Sequence, residues 1–519
     1  MKRPTLAASG GWFSHAGRDL LSSVVVFLVA LPLCMGIALA SGVPVELGLI
    51  TGIVGGLVVG LLAGSPLQVS GPAAGLTVLI LEAIHSHGLE ALGVIVLGAG
   101  LFQILAGLLK LGPWFRAISP AVIQGMLAGI GVLIVAAQFH SMLDAKPVGT
   151  GIQNLLAIPG AFWNAVSGAN GPNHQLAAGL GVLTIAVMGL WNTLPKALKL
   201  IPGSLVAVLL ATFLAAIFSL PVQYVSVPAN MLQSLSLLTF GDLGGLLNPA
   251  LLTTALAIGL IASAETLLSA TAVDQMHQGP RTQYNRELFA QGVGNAICGL
   301  LGALPMTGVI VRSSANIQAG AKTRLSTILH GGWLLLFVAL LPFLLNKIPV
   351  AALAAMLVYT GVKLVNVKAI RQIAAYGRTE VAIYTVTVVA IVATNLLEGV
   401  LIGLALSALK LLYTFAHLEL DLQVDAETRQ ATLTLNGSAT FLRLPKLASA
   451  LERVPPSSEL RVKFEGLSYV DHACLDLLMN WEKQHMATGG RLDLSWGELH
   501  HRYQQQRPSA LRTLGVRAS

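Results

Sequence analysis

Long apolar stretches alternate with short polar loops over most of the chain, from about residue 20 to about residue 416. Each stretch approaches the length that crosses the hydrocarbon core of a bilayer as a helix, and the loops hold proline, glycine or basic residues. The pattern predicts an α-helical polytopic membrane protein with about fourteen spans. Their approximate bounds are 20–40, 46–62, 68–84, 91–110, 117–140, 175–193, 203–220, 250–274, 286–303, 308–318, 325–345, 349–365, 380–396 and 399–416.

The third and the tenth of these spans differ from the others. Their sequences, QVSGPAAGLTVLI and MTGVIVRSSANI, are short, rich in small residues and opened by Gly/Pro or Gly/Thr. Such segments are typical of half-helices that begin inside the membrane. Each is third in a set of seven spans, with the halves 20–193 and 203–416 taken to correspond. The pattern therefore predicts a 7+7 inverted repeat.

The basic residues of the loops favour one orientation, because Lys and Arg concentrate in cytoplasmic loops. With a cytoplasmic N-terminus, the loops on the outer face hold only Lys146 and Lys347. The cytoplasmic loops hold Lys110, Arg116, Lys196, Lys199, Arg281, Arg286, Lys322, Arg324, Lys363, Lys368, Arg371 and Arg378. This asymmetry supports an even number of spans and predicts that both termini are cytoplasmic.

The composition changes to that of a soluble protein from about residue 420. ATLTLNGSATFL and ELRVKFEGLSYV read as strands, HACLDLLMNWEKQHMATG as an amphipathic helix, and RLDLSW as a further strand. This order predicts a small α/β domain over 420–503. The complete organisation is a cytoplasmic segment 1–19, a transport domain 20–416, this domain, and a flexible tail 504–519.

Composition excludes several other classes. Of the 519 residues, 55% are hydrophobic and 10% are charged, whereas charged residues make up about a quarter of soluble domains. The net charge of +8 is spread along the chain rather than clustered, so positive-inside topology accounts for it better than nucleic-acid binding. Cys34, Cys298 and Cys474 have neither disulfide nor zinc spacing. We found no paired nucleophile and base, no nucleotide-binding loop and no metal set, so the sequence predicts neither an enzyme nor a cofactor.

Arg312 is the one Lys or Arg well inside an apolar segment. A mid-membrane arginine costs about 2.5 to 3.5 kcal/mol and usually faces a cavity, a partner or a substrate. It lies in a half-helix whose N-terminus already favours an anion, with Ser313, Ser314 and Asn316 nearby as hydrogen-bonding groups. We therefore predict an anion ligand. The alternative is a structural arginine that extends to the nearby cytoplasmic face.

Glu265 is the one carboxylate deep in a long span. Facing Arg312 it would stay ionised and could close an empty site, whereas unpaired it could take up a proton and couple transport to it. Ser263, Thr266 and Ser269 could instead help to ligate sodium. Proton and sodium coupling both stay open, and the alternative is a glutamate that only joins two helices.

The third span would face the tenth at mid-membrane if the repeats cross there. Gln68, Ser70 and the pair Gly71-Pro72 are then candidate ligands, although an ordinary kink would use the same residues. A channel with uncoupled conduction is the rival to a carrier.

Nearly the whole chain resembles the SulP anion transporters, whose mammalian relatives include prestin. The similarity lies in SGPAAGLTVLI, SAETLLSA and RSSANIQAGAKTRLS, in the order of spans and in the C-terminal α/β domain. The resemblance implies core and gate domains, elevator-like motion, a homodimer and a C-terminal STAS domain. It places the anion between the third and tenth spans, at Arg312, Glu265 and residues 70–73, with Ala73 as the last of these.

Two departures from the family pattern matter. Many members have serine before the tenth-span arginine, where this chain has Val311, so a hydroxyl ligand is lost there. His472 stands where anti-sigma factor antagonists have a phosphorylatable serine, so the tail more plausibly serves assembly or partner binding. The wording of the first span resembles a bacterial branch associated with bicarbonate, which implies a bacterial inner membrane. Bicarbonate and sulfate stay open as substrates, with chloride or dicarboxylate exchange behind them.

Overall fold

The structure is a computed structural model. It describes residues 15–115, 119–169, 171–191, 193–195, 201–228, 235–239, 241–415, 417–425, 428–464, 466–497 and 499. Most of the predicted N-terminal segment, the basic residues Arg116, Lys196 and Lys199, and the tail 504–519 lie outside the described residues. The chain divides into two compact units, residues 1–404 and 405–519.

The helical part of the chain carries two very short strands. Its elements, in order, are α1 (Ala16–Ala40), α2 (Val45–Val54), α3 (Gly60–Leu62), β1 (Ser70–Pro72), α4 (Thr77–His87), α5 (Leu92–Leu108), α6 (Gly112–Phe115), α7 (Pro120–Met142), α8 (Gly151–Ser167), α9 (Pro172–Trp191), α10 (Gly203–Ile217), α11 (Pro249–Met276), α12 (Tyr284–Leu300), β2 (Met306–Gly308), α13 (Ile310–Gln318), α14 (Leu325–Leu340), α15 (Pro342–Leu345), α16 (Val350–Leu364), α17 (Val367–Ala374), α18 (Arg378–Ala393) and α19 (Leu396–Phe415). A π-helical turn, Gly55–Val59, joins α2 to α3, and a 3-10 turn, Ala74–Leu76, precedes α4.

Seven of the described helices are long and apolar enough to cross a membrane. They are Ala16–Ala40, Val45–Leu62, Pro120–Met142, Pro172–Trp191, Pro249–Met276, Val350–Ala374 and Leu396–Thr414. The shorter apolar helices α5, α10 and α14 add three. Together with α12, α18 and the two half-helices, the described residues account for the predicted polytopic fold.

Both predicted half-helices are confirmed, since β1 leads into α4 and β2 leads into α13. The predicted boundary between the repeats is wrong. Counting spans from the N-terminus makes α10 the seventh, so the second repeat begins at α11. The earlier boundary, between residues 193 and 203, would separate α10 from α9, although these two helices pack on each other.

The spans form two groups by their packing. In the first, α5 packs along α12 and against α11, and α1 packs against α2 and α14. In the second, α7 packs against α16 and α18, and α9 packs against α10 and α16. Glycine permits the closest approach in the first group, because a Cβ at Gly100 or Gly299 would overlap the backbone nitrogen of Ala296 or Leu97. Small residues are the usual means of close helix contact in membranes.

The C-terminal unit is an α/β domain. Its elements are β3 (Leu418–Asp425), β4 (Gln430–Ala439), α20 (Leu444–Glu452), β5 (Glu459–Lys463), β6 (Leu467–Val470), α21 (His472–Ala487) and β7 (Arg491–Asp493). Strand β4 pairs antiparallel with β3 and parallel with β5 and β6, and β7 pairs parallel with β5. The predicted strand–helix–strand order is confirmed. ELRVKFEGLSYV forms two strands rather than one, and β3 and α20 were not predicted. This mixed sheet is consistent with a STAS domain.

Candidate functional site

The two half-helices begin from a short antiparallel ribbon. Its pairs are Ser70 with Gly308, Gly71 with Thr307, and Pro72 with Met306. Because β1 and β2 run in opposite directions, α4 and α13 leave the ribbon from opposite ends. Their N-termini therefore approach one region from opposite sides, as in carriers with discontinuous helices.

Backbone N–H groups are available at both helix starts. In α13 the first helical hydrogen bond is donated by Ser313 N to Val309 O at 3.0 Å, so the N–H groups of residues 310–312 precede it. Before α4, the first bond is donated by Leu76 N to Ala73 O at 3.2 Å. The first N–H groups of a helix have no intrahelical acceptor and form the positive end of its dipole. Both helix starts therefore favour negative charge.

A cavity of about 120 Å³ lies where the helix starts meet. Residues 73–75 line it from the third span, and residues 309–311 line it from the start of α13. Glu265 and Ser269 line it from α11, and Glu265 is the one charged side chain among the described lining residues. The rest of the wall is mostly apolar and consists of Leu33, Ile37, Met126, Leu127, Leu268, Thr360 and Leu364.

A larger cavity, of about 500 Å³, adjoins the first and shares Leu33, Leu127 and residues 310–311 with it. It extends to Lys363 and Asn366, at and just after the C-terminal end of α16. Lys363 belongs to the basic loops that the sequence assigns to the cytoplasm. The recess beside the helix starts therefore leads toward the predicted cytoplasmic face.

Arg312, predicted as a direct anion ligand, does not line either of these cavities. Its side chain is fully buried, and its Nη2 donates to Pro72 O at 3.2 Å. Gly71 leaves room for it, since a Cβ there would overlap Arg312 Nη1. Among the described residues, Arg312 Nε and Nη1 have no hydrogen-bond partner, and no salt bridge joins Arg312 to Glu265. The guanidinium therefore lies behind β1 and adds positive charge without facing the cavity.

Two predicted hydroxyl ligands hold the ribbon instead. Ser313 Oγ accepts from Val69 N at 2.9 Å and donates to Val309 O at 2.7 Å. Ser70 Oγ accepts from Gln291 Nε2 at 2.5 Å. Both serines are buried and outside the cavity lining. Their hydroxyls join α13 and β1 to neighbouring segments.

Gln68 has the same structural role. Its Nε2 donates to Thr266 O at 3.3 Å, and a Cβ on Gly308 would overlap that amide. The polar residues of the third span therefore stabilise the crossing. Ala73, by contrast, does line the cavity, as does Val311, which is about half exposed.

Glu265 lies against the start of the third-span helix. A Cβ on Gly75 would stand 2.7 Å from each carboxylate oxygen of Glu265, so only glycine fits there without moving the side chain. Among the described residues, Glu265 Oε2 has no hydrogen-bond partner. Ser269, one helical turn further along α11, faces the same cavity. The carboxylate thus lies beside the N–H groups that favour an anion.

The other predicted coupling residue, Ser263, points elsewhere. Its hydroxyl donates to Gly259 O at 2.5 Å and accepts from Gln103 Nε2 at 3.3 Å. Residues two apart on a helix lie on different faces, which separates Ser263 from Glu265. Thr266 Oγ1 accepts from Gly308 N at 3.1 Å. These two hydroxyls are therefore not grouped around the carboxylate.

Sequence reasoning missed the opposite wall, which α7 and α16 supply through Met126, Leu127, Thr360 and Leu364. These residues sit in apolar helices and differ in no visible way from lipid-facing positions. It also missed Ile310 and Ala74, whose contribution includes backbone. Neither residue has a polar side chain that would mark it as a ligand.

A membrane protein with two half-helices whose N-termini meet at a cavity belongs to the class of inverted-repeat transport proteins. Residues 17–387 match the sulfate permease family. The chain belongs to this family. The relatives reported below are named as transporters, and the protein is a transporter rather than an enzyme.

Two relatives with named activities are similar to this chain. "Putative sulfate transporter YvdB" of Bacillus subtilis is 30% identical over 403 residues, which cover 75% of this chain and 72% of the relative. "Bicarbonate transporter BicA" of Picosynechococcus is 28% identical over 377 residues, covering 68% of this chain and 62% of the relative. The named activities of these relatives agree with multi-pass anion transport across a membrane.

Two solved structures share the fold. The transmembrane domain of a cyanobacterial bicarbonate transporter, BicA, superposes with a TM-score of 0.63 at 25% identity, covering 75% of this chain and 98% of that one. Murine Slc26a9, described as an anion transporter in the inward-facing state, superposes with a TM-score of 0.74 at 14% identity, covering 96% and 92%. The second likeness concerns the fold alone.

Proposed function

We propose that the protein is a secondary active carrier of a small inorganic anion, bound between the N-termini of the two half-helices. The observation that carries this proposal is the cavity lined by residues 73–75 and 309–311. Backbone N–H groups and two dipole ends attract the anion there. Arg312, buried behind β1 without a carboxylate partner among the described residues, strengthens the attraction.

The lining favours an anion of single charge. The Born cost of leaving water rises with the square of the charge, so a divalent anion needs more compensation than a monovalent one. The smaller cavity offers mostly apolar side chains and one carboxylate, Glu265. Bicarbonate is therefore our first substrate, and it agrees with the name of the BicA relatives. Sulfate is the second, supported by the named activity of YvdB.

Proton coupling suits the site better than sodium coupling. A hard cation takes several oxygen ligands, whereas the hydroxyls of Ser263 and Thr266 are bonded elsewhere. Glu265 carries an unpartnered oxygen at the helix starts that attract the anion. Ionised Glu265 repels the substrate, and protonated Glu265 admits it. One proton would then accompany each anion.

The two helix groups support alternating access. Glu265 lies on α11 of the first group, and α4 and α13 pack against α1 and α11 of that group. Helices α7 and α16 of the second group supply the opposite wall. Since that wall offers few polar contacts, the first group can slide along it with the anion in place. This elevator-like motion would open the site first to one face and then to the other.

The membrane, the orientation and the oligomeric state of the protein are also proposals. We infer a bacterial inner membrane with both termini cytoplasmic, from the basic loops and the bacterial relatives. A homodimer is proposed, as the family resemblance implies. The C-terminal domain then serves assembly or a cytoplasmic partner, since His472 leaves no serine hydroxyl at the start of α21.

Uptake into liposomes tests the carrier. We expect saturable uptake of labelled bicarbonate by the purified protein, stimulated by unlabelled bicarbonate on the opposite side. An inward proton gradient should accelerate it, and a sodium gradient should not. Conductance that does not saturate would instead support an uncoupled channel. Sulfate uptake that exceeds bicarbonate uptake would reverse our order of substrates.

Replacing Glu265 should separate coupling from binding. In Glu265→Gln the side chain keeps its shape but cannot ionise, so the proton gradient should lose its effect on uptake. Exchange of internal for external bicarbonate should continue, because no carboxylate repels the anion. Both are measured in the same liposomes, with Ser263→Ala as a control that lies on another face of α11. Undiminished acceleration by the proton gradient in Glu265→Gln would exclude Glu265 as the coupling group.

A further inference from the structure

A third cavity lies apart from the transport cavities, at the ends of two spans. The end of α7, the loop after it, the middle and end of α8 and the start of α9 enclose about 340 Å³. It shares no lining residue with the other two cavities. Its polar lining consists of His140, Lys146, Asn164 and His174.

The two histidines of this cavity are held in fixed orientations. His174 Nδ1 lies 2.6 Å from Leu143 O, and His140 Nε2 lies 3.1 Å from Asn154 O. A carbonyl oxygen only accepts, so each of these ring nitrogens carries a hydrogen. Among the described residues, the second nitrogen of each ring has no hydrogen-bond partner. His140 is 1% exposed, which makes it part of the interior and not a loose surface group.

Lys146 brings one positive charge to this cavity. Lys146 is one of only two lysines in the loops that the sequence assigns to the outer face, and no salt bridge joins it to a described carboxylate. The nearby carboxylate of Asp144 turns away and accepts from Gln223 N at 2.9 Å. Asp144 also lies near His174.

The neighbouring helix α8 has the features of an interfacial helix. It connects the end of one span to the start of the next and is not among the helices long and apolar enough to cross a membrane. Large apolar side chains are nevertheless exposed along it, namely Leu156, Phe162, Trp163 and Val166. Tryptophan is enriched at the level of lipid headgroups, and a helix of this kind lies in that plane.

We propose that this cavity binds the phosphate of an anionic phospholipid. Lys146 and His174 contact the phosphate, Asn164 donates a hydrogen bond, and the acyl chains lie along the apolar side chains of α8. A soluble phosphate would use the same polar groups without the chains. The lipid is favoured because the cavity opens beside an apolar surface at the ends of two spans.

Lipid titration of the full-length protein, followed by native mass spectrometry, tests this site. Dioleoylphosphatidylglycerol should bind more tightly than dioleoylphosphatidylcholine. A basic residue near a lipid surface contributes about 1 kcal/mol, so Lys146→Gln should lower the affinity for phosphatidylglycerol about fivefold. His174→Asn removes the outer ring nitrogen and can keep the donor to Leu143 O, and the double variant should lose more. Lys347→Gln, the other outer lysine, is the matched control and should change nothing.

Competition with inorganic phosphate distinguishes the two sources. In one outcome, millimolar phosphate displaces phosphatidylglycerol from the wild type and leaves the weaker lipid binding of Lys146→Gln unchanged. That result would mean that the cavity recognises the phosphate group from either source. If phosphate does not compete, the acyl chains contribute and the site is a lipid site. Equal phosphatidylglycerol affinity in the wild type and the Lys146→Gln, His174→Asn double variant would overturn the proposal. An equal loss in Lys347→Gln would also overturn it.

Discussion

Val311→Glu should abolish anion uptake while leaving the protein folded and no less stable. Val311 is the second residue of α13, about half exposed, and lines both cavities beside the helix start. A glutamate there is stabilised by the helix dipole and occupies the electropositive position that we assign to the substrate. Two like charges about 4 Å apart cost about 4 kcal/mol at an effective dielectric constant of 20. Affinity should therefore fall by roughly a thousandfold.

Val311→Gln is the matched control, because glutamine has the size of glutamate but carries no charge. It should keep most of the bicarbonate uptake, and Val311→Glu should regain uptake as the pH is lowered and its carboxyl is protonated. Thermal unfolding would show whether both variants are folded. Equal loss in the two variants would mean that bulk, and not charge, blocks the cavity. Wild-type uptake in Val311→Glu would place the anion elsewhere.

Arg312→Met should weaken anion binding without removing any group that lines the cavity. The guanidinium lies behind β1, where Nη2 donates to Pro72 O. If a separation of about 8 Å is assumed, a unit charge contributes about 2 kcal/mol at an effective dielectric constant of 20, so KM should rise about thirtyfold. The maximal rate should change less. Concentration-dependent uptake in liposomes measures both quantities.

Arg286→Met controls for the general loss of an arginine in the same helix group. Arg286 is exposed and its Nε donates to Leu62 O at 2.9 Å, so uptake should stay near wild type. A reduced maximal rate with unchanged KM in Arg312→Met would assign Arg312 a purely structural role. In that case the substrate would depend on the helix starts alone.

The half-helices could be predicted because their cause is local. Both SGPAAGLTVLI and MTGVIVRSSANI are short, rich in small residues and opened by Gly/Pro or Gly/Thr, which is typical of helices that begin inside the membrane. The direction of Arg312 could not be predicted. It depends on Gly71, which leaves space for the guanidinium, and on the ribbon that joins segments more than two hundred residues apart. One sequence carries no signal for that pairing.

The sequence left open whether Glu265 faces Arg312 or is unpaired, for the same reason. Both are rare charged groups in apolar segments, and their spacing along the chain does not show whether they meet. The backbone of β1 accepts from Arg312, and Glu265 lies against Gly75. Polar side chains such as Ser70 and Ser313 satisfy backbone groups at the crossing. The cavity is consequently lined mostly by backbone and apolar groups. The sequence does not distinguish such groups from those of an ordinary membrane helix.

Helix α8 and strand β3 were not predicted from the sequence, and each omission has a physical reason. Helix α8 contains Pro159 and several exposed large apolar residues within a mixed sequence, so its pattern fits neither a span nor a soluble helix. In the C-terminal unit, β3 pairs with β4 as an edge strand in which four apolar residues alternate with four polar ones. Its burial is one-sided and weak. Elements of this kind are specified by their neighbours more than by their own residues.

The position of the bound anion is the most direct test of the account. Crystals of the wild type grown in sodium bromide should show anomalous scattering from a bromide ion in the smaller cavity, within hydrogen-bond distance of the N–H groups at residues 74–75 or 310–311. The same peak should be absent from Val311→Glu. A bromide ion bound by Arg312 behind β1, with none between the helix starts, would contradict the central claim. So would an empty cavity under conditions in which bromide inhibits uptake.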